Sequence, residues 1–330
     1  MRAFECRRCG NPLYFENTAC VSCGAELGFS REERAIVPVD EQGRYVDAEG
    51  LVWWRCANRE LAACTWLTRF EGTLCFNCVL TRTRPNDHDP EGMRAFPGAE
   101  SAKRRLIVEL DALELPIVTR AEDPENGLAF DLLSSANEPV TTGHQNGIVT
   151  IDLAEGDSVH RERLRRDLDE PYRTLLGHFR HETGHYYESQ LVQGDLIEAA
   201  RDLFGDERAD YQEALDRHYA DGPPAGWTDR YISAYATMHP FEDFAETFAH
   251  VLHIADTIDT AQSFGLTSVD VGAFRSFRDL VTGVWIPLSV ALNQINRSMG
   301  KDPLYPFVIA GPVLDKLEFV AALSPRFRAL

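Results

Sequence analysis

No cysteine follows Cys78 in a chain of 330 residues. Disulfides and thiol redox chemistry are therefore excluded from everything downstream of it. Long apolar runs are also missing. The most apolar stretch, "VTGVWIPLSVAL" (281–292), is too short to span a bilayer and predicts a buried helix. The opening residues, MRAFECRRCG, carry no apolar core of an export signal, so a cytoplasmic protein with no membrane partner is expected. Basic charge is in deficit: the formal net charge is −19. Residues 1–84 are neutral, with 11 Arg against 11 acidic side chains, and residues 85–330 carry 22 basic against 41 acidic. That balance disfavours binding of a phosphate backbone by the larger part, and makes nucleic acid a poor partner overall. Neutral or basic polypeptides suit it better, although solubility alone accounts for the charge equally well. Internal repeats and low-complexity tracts are absent.

The eight cysteines that are present fall into two groups. Cys6, Cys9, Cys20 and Cys23 have the spacing C-x2-C-x10-C-x2-C. Two such knuckles supply four thiolates, which close a tetrahedral structural zinc site of the ribbon type. The glycines after Cys9 and Cys23 suit the tight turn of each knuckle. Cys56, Cys64, Cys75 and Cys78 are spaced C-x7-C-x10-C-x2-C. Only their second half is a standard knuckle, yet a second four-cysteine zinc site accounts for every remaining thiol. Ribbons of this kind staple a fold or bind a protein partner. The aromatic and basic runs at 53–55 and 81–84 are the available contact residues.

The chain divides accordingly. Residues 1–28 read as a zinc ribbon of short strands, and 29–86 as a connector with a candidate strand "AIVPV" followed by the second four-cysteine knot. The Pro-, Gly- and Asp-rich "RPNDHDPEGMRAFPG" (84–98) reads as a linker. Residues 87–330 then read as one α+β domain, a small sheet followed by packed helices. Helical spacing is found over 99–113 and strands over 127–134 and 146–157. Helices are expected at roughly 158–192, 195–220, 241–261 and 271–298.

Within the first long helix lies "HFRHETGHYYES" (178–189). Asp169, Glu170 and Pro171 read as its start, and Gly194 can end it. His181 and His185 then sit one turn apart on one face and can grip one zinc ion. Glu182 is rotated about 100° from His181, within reach of a metal-activated water. Gly184 costs the helix about 1 kcal/mol relative to Ala and asks for a close neighbour, such as a crossing strand. His178 shares the face and reads as an exposed or supporting residue. A hydrolytic zinc site needs a third protein ligand from another element. The stretch "YATMHPFEDFAETFAHVLHI" (235–254) offers one, with Glu242 in the first turn after Pro240 and Glu246 one turn later. One carboxylate can bind metal while the other accepts the outer N–H of a ligand histidine. Glu242 ranks first. Asp243, His239, Glu246 and His250 compete with it, and His250 and His253 read as packed residues.

HETGH followed by E-x-x-x-E resembles the gluzincin metallopeptidases, and the whole chain resembles the bacterial family of zinc-binding metallopeptidases with an N-terminal zinc-ribbon domain. The thermolysin-type Asn-Glu-x-x-Ser-Asp form is absent. The resemblance implies a zincin-like α+β domain. In it Glu242 is the third ligand beside His181 and His185, Glu246 is the acid that orients a histidine, and Glu182 is the general base. Tyr235, seven residues before Glu242, resembles the oxyanion-stabilising tyrosine of the lethal-factor type; a core aromatic is its other reading. The resemblance also implies that an edge strand, here "GIVTIDLA", pairs with an extended peptide, although an interior strand fits that sequence equally well. The expected cofactors are one catalytic and two structural zinc ions, and the expected partner is a polypeptide substrate. The alternative from another class is a non-catalytic adaptor, held together by zinc, that binds a protein through its ribbons.

Overall fold

A computed structural model describes residues 2–136, 138–156, 174–269 and 274–328. Its N-terminal part is built from short antiparallel pairs around cysteine knuckles. Strands β1 (Phe4–Glu5) and β2 (Pro12–Leu13) form the first hairpin. Gly10 and Gly24 adopt φ +73° and +70°, and each donates its N–H back to the first cysteine of its knuckle, Cys6 and Cys20. The expected turn role of these glycines is thus met. Residues 29–50 do more than connect. Strand β3 (Leu27–Ser30) pairs with β4 (Ala35–Pro38), the expected "AIVPV" strand. Strands β5 (Arg44–Val46), β6 (Val52–Arg55) and β7 (Leu67–Thr68) form a three-stranded sheet. Phe29 packs on Trp66 with ring centroids 5.1 Å apart, so the two sheets share one buried aromatic seam.

The second knot leads directly into the larger part. Helix α1 (Phe76–Val79) is followed by β8 (Thr81–Thr83), which pairs in parallel with β9 (Ala129–Leu133). The predicted linker is mostly helix instead. Asp89 caps α2 (Pro90–Ala112), its carboxylate accepting from the Glu91 and Gly92 N–H groups, and Pro90 occupies the first turn. A proline at that position lacks only an N–H that no helix would use.

The main sheet has the order β10–β11–β9–β8, with β10 (Gly143–Gln145) antiparallel to β11 (Ile148–Asp152) and the other pairings parallel. Val149 and Ile151 of β11 are buried and their neighbours half-buried, the expected alternation. Of the two readings of this strand the interior one holds: β11 is hydrogen-bonded on both sides, and β10 is the edge among the described residues. Against this sheet lies α3 (Leu175–Leu191), and α6 (Pro240–Ser263) packs on α3; the two are the most closely packed helix pair among the described residues. The predicted 195–220 helix is two, α4 (Leu196–Phe204) and α5 (Tyr211–Asp221), broken at Gly205 with φ +104°. The predicted 271–298 helix begins within the described residues as α7 (Phe277–Leu280). It passes through a π-turn at Val281–Trp285 and continues as α8 (Ile286–Ser298). Helices α9 (Gly311–Ala321) and α10 (Pro325–Arg328) close the chain. No helix among the described residues is long and apolar enough to cross a membrane.

Candidate metal centre

Three groups of donor atoms converge among the described residues. Cys6, Cys9, Cys20 and Cys23 form the first, with Sγ atoms 3.7 Å apart between Cys6 and Cys23 and 3.6 Å between Cys9 and Cys20. Cys56, Cys64, Cys75 and Cys78 form the second, with Cys64 and Cys75 at 3.6 Å. Zn–S bonds of about 2.3 Å in a tetrahedron put thiolates about 3.8 Å apart, so both cages have the size of a zinc site. The non-standard half of the second cage is closed by backbone. Ala63 takes φ +45° immediately before Cys64, and the Cys56 thiolate accepts from the Cys75 N–H at 3.2 Å.

The third group is His181, His185 and Glu242. Asp169, Glu170 and Pro171 lie outside the described residues, and α3 starts at Leu175, where the Thr174 hydroxyl accepts from the Gly177 N–H at 2.9 Å. About two and three turns on, His181 and His185 face α6 with ring centroids 4.9 Å apart. Gly184 lets the helices meet. A Cβ there would stand 2.9 Å from the Ala245 Cα and 3.2 Å from its carbonyl oxygen. The neighbour that requires glycine is thus a helix backbone, not the strand expected from sequence. Ala245 lies between Glu242 and Glu246, so this contact sets both carboxylates opposite the histidines. Glu242 Oε2 is 2.9 Å from His181 Nε2 and 3.6 Å from His185 Nε2, and Glu246 Oε1 is 2.7 Å from His181 Nδ1.

These distances test the fit of a metal. With Nδ1–H donating to Glu246, His181 presents the lone pair of Nε2 to Glu242 Oε2. Two acceptors at 2.9 Å need a proton or a cation between them. Zinc, with N and O bonds of about 2.0–2.2 Å, spaces its donors by about 3.3 Å. The donor set, two imidazoles and one carboxylate, is that of hydrolytic zinc. Residues 92–323 match the family described as "Putative zinc-binding metallo-peptidase", and residues 3–89 match a zinc-ribbon domain. The chain belongs to this metallopeptidase family. Similar relatives include uncharacterized proteins of Mycobacterium bovis and Mycobacterium tuberculosis. Each is 54% identical over 329 residues, which cover 97% of this chain and 94% of the relative. No solved structure matches the chain.

The surroundings of this candidate centre account for the other candidates. His239 caps α6: its Nδ1 accepts from the Phe241 N–H, and its Nε2 lies 3.1 Å from the Ala209 carbonyl. Asp243 points away to Lys316 at 2.5 Å. His250 hydrogen-bonds the Tyr305 hydroxyl, and His178 lies beside Glu155. Glu182 is buried beside the histidines. Burial lifts its carboxyl above the ordinary carboxylate range, against the pull of His181 and His185. Tyr235 stands 5.9 Å from the His181 ring. Sequence reasoning missed two contacts. Phe241 stacks on His185 at 3.9 Å, and the Tyr211 hydroxyl donates to Glu242 Oε1 at 2.8 Å. Phe241 adjoins Glu242 in the chain and was open to inference; nothing local marks Tyr211.

Proposed function

We propose that this protein is a cytoplasmic, zinc-dependent peptidase that hydrolyses peptide bonds with Glu182 as general base. The observation that carries the proposal is the placing of Glu242 Oε2 against both HETGH histidines, with Glu182 buried beside them. His181, His185 and Glu242 hold one zinc ion, Glu246 fixes the tautomer of His181, and the eight cysteines hold two structural zinc ions. Zinc so bound supplies a Lewis acid and lowers the pKa of its water toward about 7. Glu182 takes the proton of the attacking water and returns it to the leaving amine. Tyr235 donates to the oxyanion as the scissile carbonyl becomes tetrahedral. A polypeptide substrate in extended form adds through backbone hydrogen bonds to the outer edge of β10, which pairs with β11 alone among the described residues. The adaptor alternative leaves Glu182 without a task. Glu182→Gln separates the two: hydrolysis of a peptide library should vanish while three zinc ions per chain remain. Wild-type rates in that variant would remove Glu182 from the role, and a two-zinc wild type would favour the adaptor.

A further inference from the structure

The segment joining α4 to α5 is pinned to the start of α6 at three points. Gly205 has Pro240 Cγ 3.2 Å from where a Cβ would sit. His239 accepts the Phe241 N–H at Nδ1, so its proton is on Nε2 and is donated to the Ala209 carbonyl at 3.1 Å. The Tyr211 and His239 rings lie 5.3 Å apart. From this anchored position, at the first residue of α5, the Tyr211 hydroxyl donates to Glu242 Oε1 at 2.8 Å. The other oxygen, Oε2, is the one that faces His181 and His185. The two oxygens of one carboxylate therefore have different partners, and the division is imposed from a separate helix.

We propose that Tyr211 is a positioning residue that holds Glu242 as a one-oxygen ligand and so keeps a coordination position free for water and substrate. The proposal rests on the reading of His181, His185 and Glu242 as a zinc site. A carboxylate binds a metal through one oxygen or two, and two-oxygen binding here requires Oε1 to leave the phenol and turn inward. Three protein donors plus one open position define a hydrolytic zinc site; a fourth protein donor atom crowds that position.

The test is Tyr211→Phe in the full-length protein, which keeps the ring and removes the hydroxyl. Chelator competition should show zinc in the third site bound about ten- to a hundredfold more weakly, the usual effect of losing an outer partner, with both cysteine-bound ions retained. The deciding readout is spectroscopic. With zinc kept in the two four-cysteine sites and cobalt(II) loaded into the third, wild type should give the strong visible band of a four-coordinate ion. Tyr211→Phe should give the weaker band of a five-coordinate one. An unchanged cobalt spectrum overturns the proposal even if affinity falls, because loss of a merely structural contact would also weaken binding. His185→Ala separates this failure from that of the underlying reading: if that variant retains a third zinc ion, the site itself has been misassigned.

Discussion

Gly184 is the residue on which the candidate metal centre depends without touching it. An Ala Cβ would meet Ala245 Cα at 2.9 Å and Phe248 Cβ at 3.2 Å. The first is backbone and cannot rotate away, so α3 and α6 must separate. Alanine favours the helix by about 1 kcal/mol. Overpacking costs about 1–3 kcal/mol. Gly184→Ala should therefore lower global stability by no more than about 2 kcal/mol while disturbing the spacing of the ligands. Third-site zinc affinity should fall sharply with both cysteine-bound ions retained. Titration with a chromogenic chelator measures this, and wild-type affinity would show that the helices tolerate the wider spacing.

At the scale of elements, legibility followed locality. The HETGH helix and its partner were readable because i, i+4 spacing forces His181 with His185, and Glu242 with Glu246, onto shared faces. The start of α2 was misread because proline and aspartate serve a linker and a helix N-terminus alike; Asp89 and Pro90 are the latter. Strand β10 has only three residues and begins with Gly143, too short for any alternation to show. Tyr211 reaches Glu242 across 31 positions, and no local pattern encodes such a contact. Another long-range tie is hidden in α2. Lys103 and Glu100 are fully buried and paired at 2.8 Å; Lys103 also donates to Thr81 of β8. Glu100 accepts from Asn77, between the last two cysteines of the second knot. Lys103→Met leaves the Glu100 charge buried without its partner, and removing one member of such a pair costs about 3–5 kcal/mol. Denaturant unfolding should show that loss, with part of it recovered on adding Glu100→Gln. A loss below about 1 kcal/mol would mean that the buried pair contributes little.

At the scale of the whole molecule the N-terminal quarter is built into the larger part. Arg31 forms a two-pronged ion pair with Asp111 of α2 and lies over the Phe76 ring at 3.6 Å. Arg104 of α2 donates to the Ala62 and Ala63 carbonyls beside Cys64. Phe4, Phe29 and Arg31 line a small cavity with Leu252, Ala255 and Asp256, at the far end of α6. Asp256 is about 21 Å along the helix from Glu242, so these contacts brace the end of α6 remote from Glu242. The second knot goes further, since β8 is the strand that completes the main sheet next to β9. A chain beginning at residue 87 would lose β8 and expose the edge of β9, whose residues Ala129–Leu133 are apolar apart from Asp131. An unpaired apolar edge of this kind invites aggregation. A chain beginning at residue 25 keeps β8, the second four-cysteine cage and the Lys103–Glu100 pair, and loses the first cage with the β1–β2 hairpin, the Phe4 and Phe15 contacts to Phe29 and the Glu16–Arg105 ion pair. The 25–330 chain should therefore remain folded, with one zinc ion fewer and lower stability. The 87–330 chain should aggregate or unfold without cooperativity and lose the third-site zinc. Zinc content and denaturant unfolding of the two fragments decide this. A cooperative 87–330 fragment with full third-site affinity would instead make residues 1–86 an independent module.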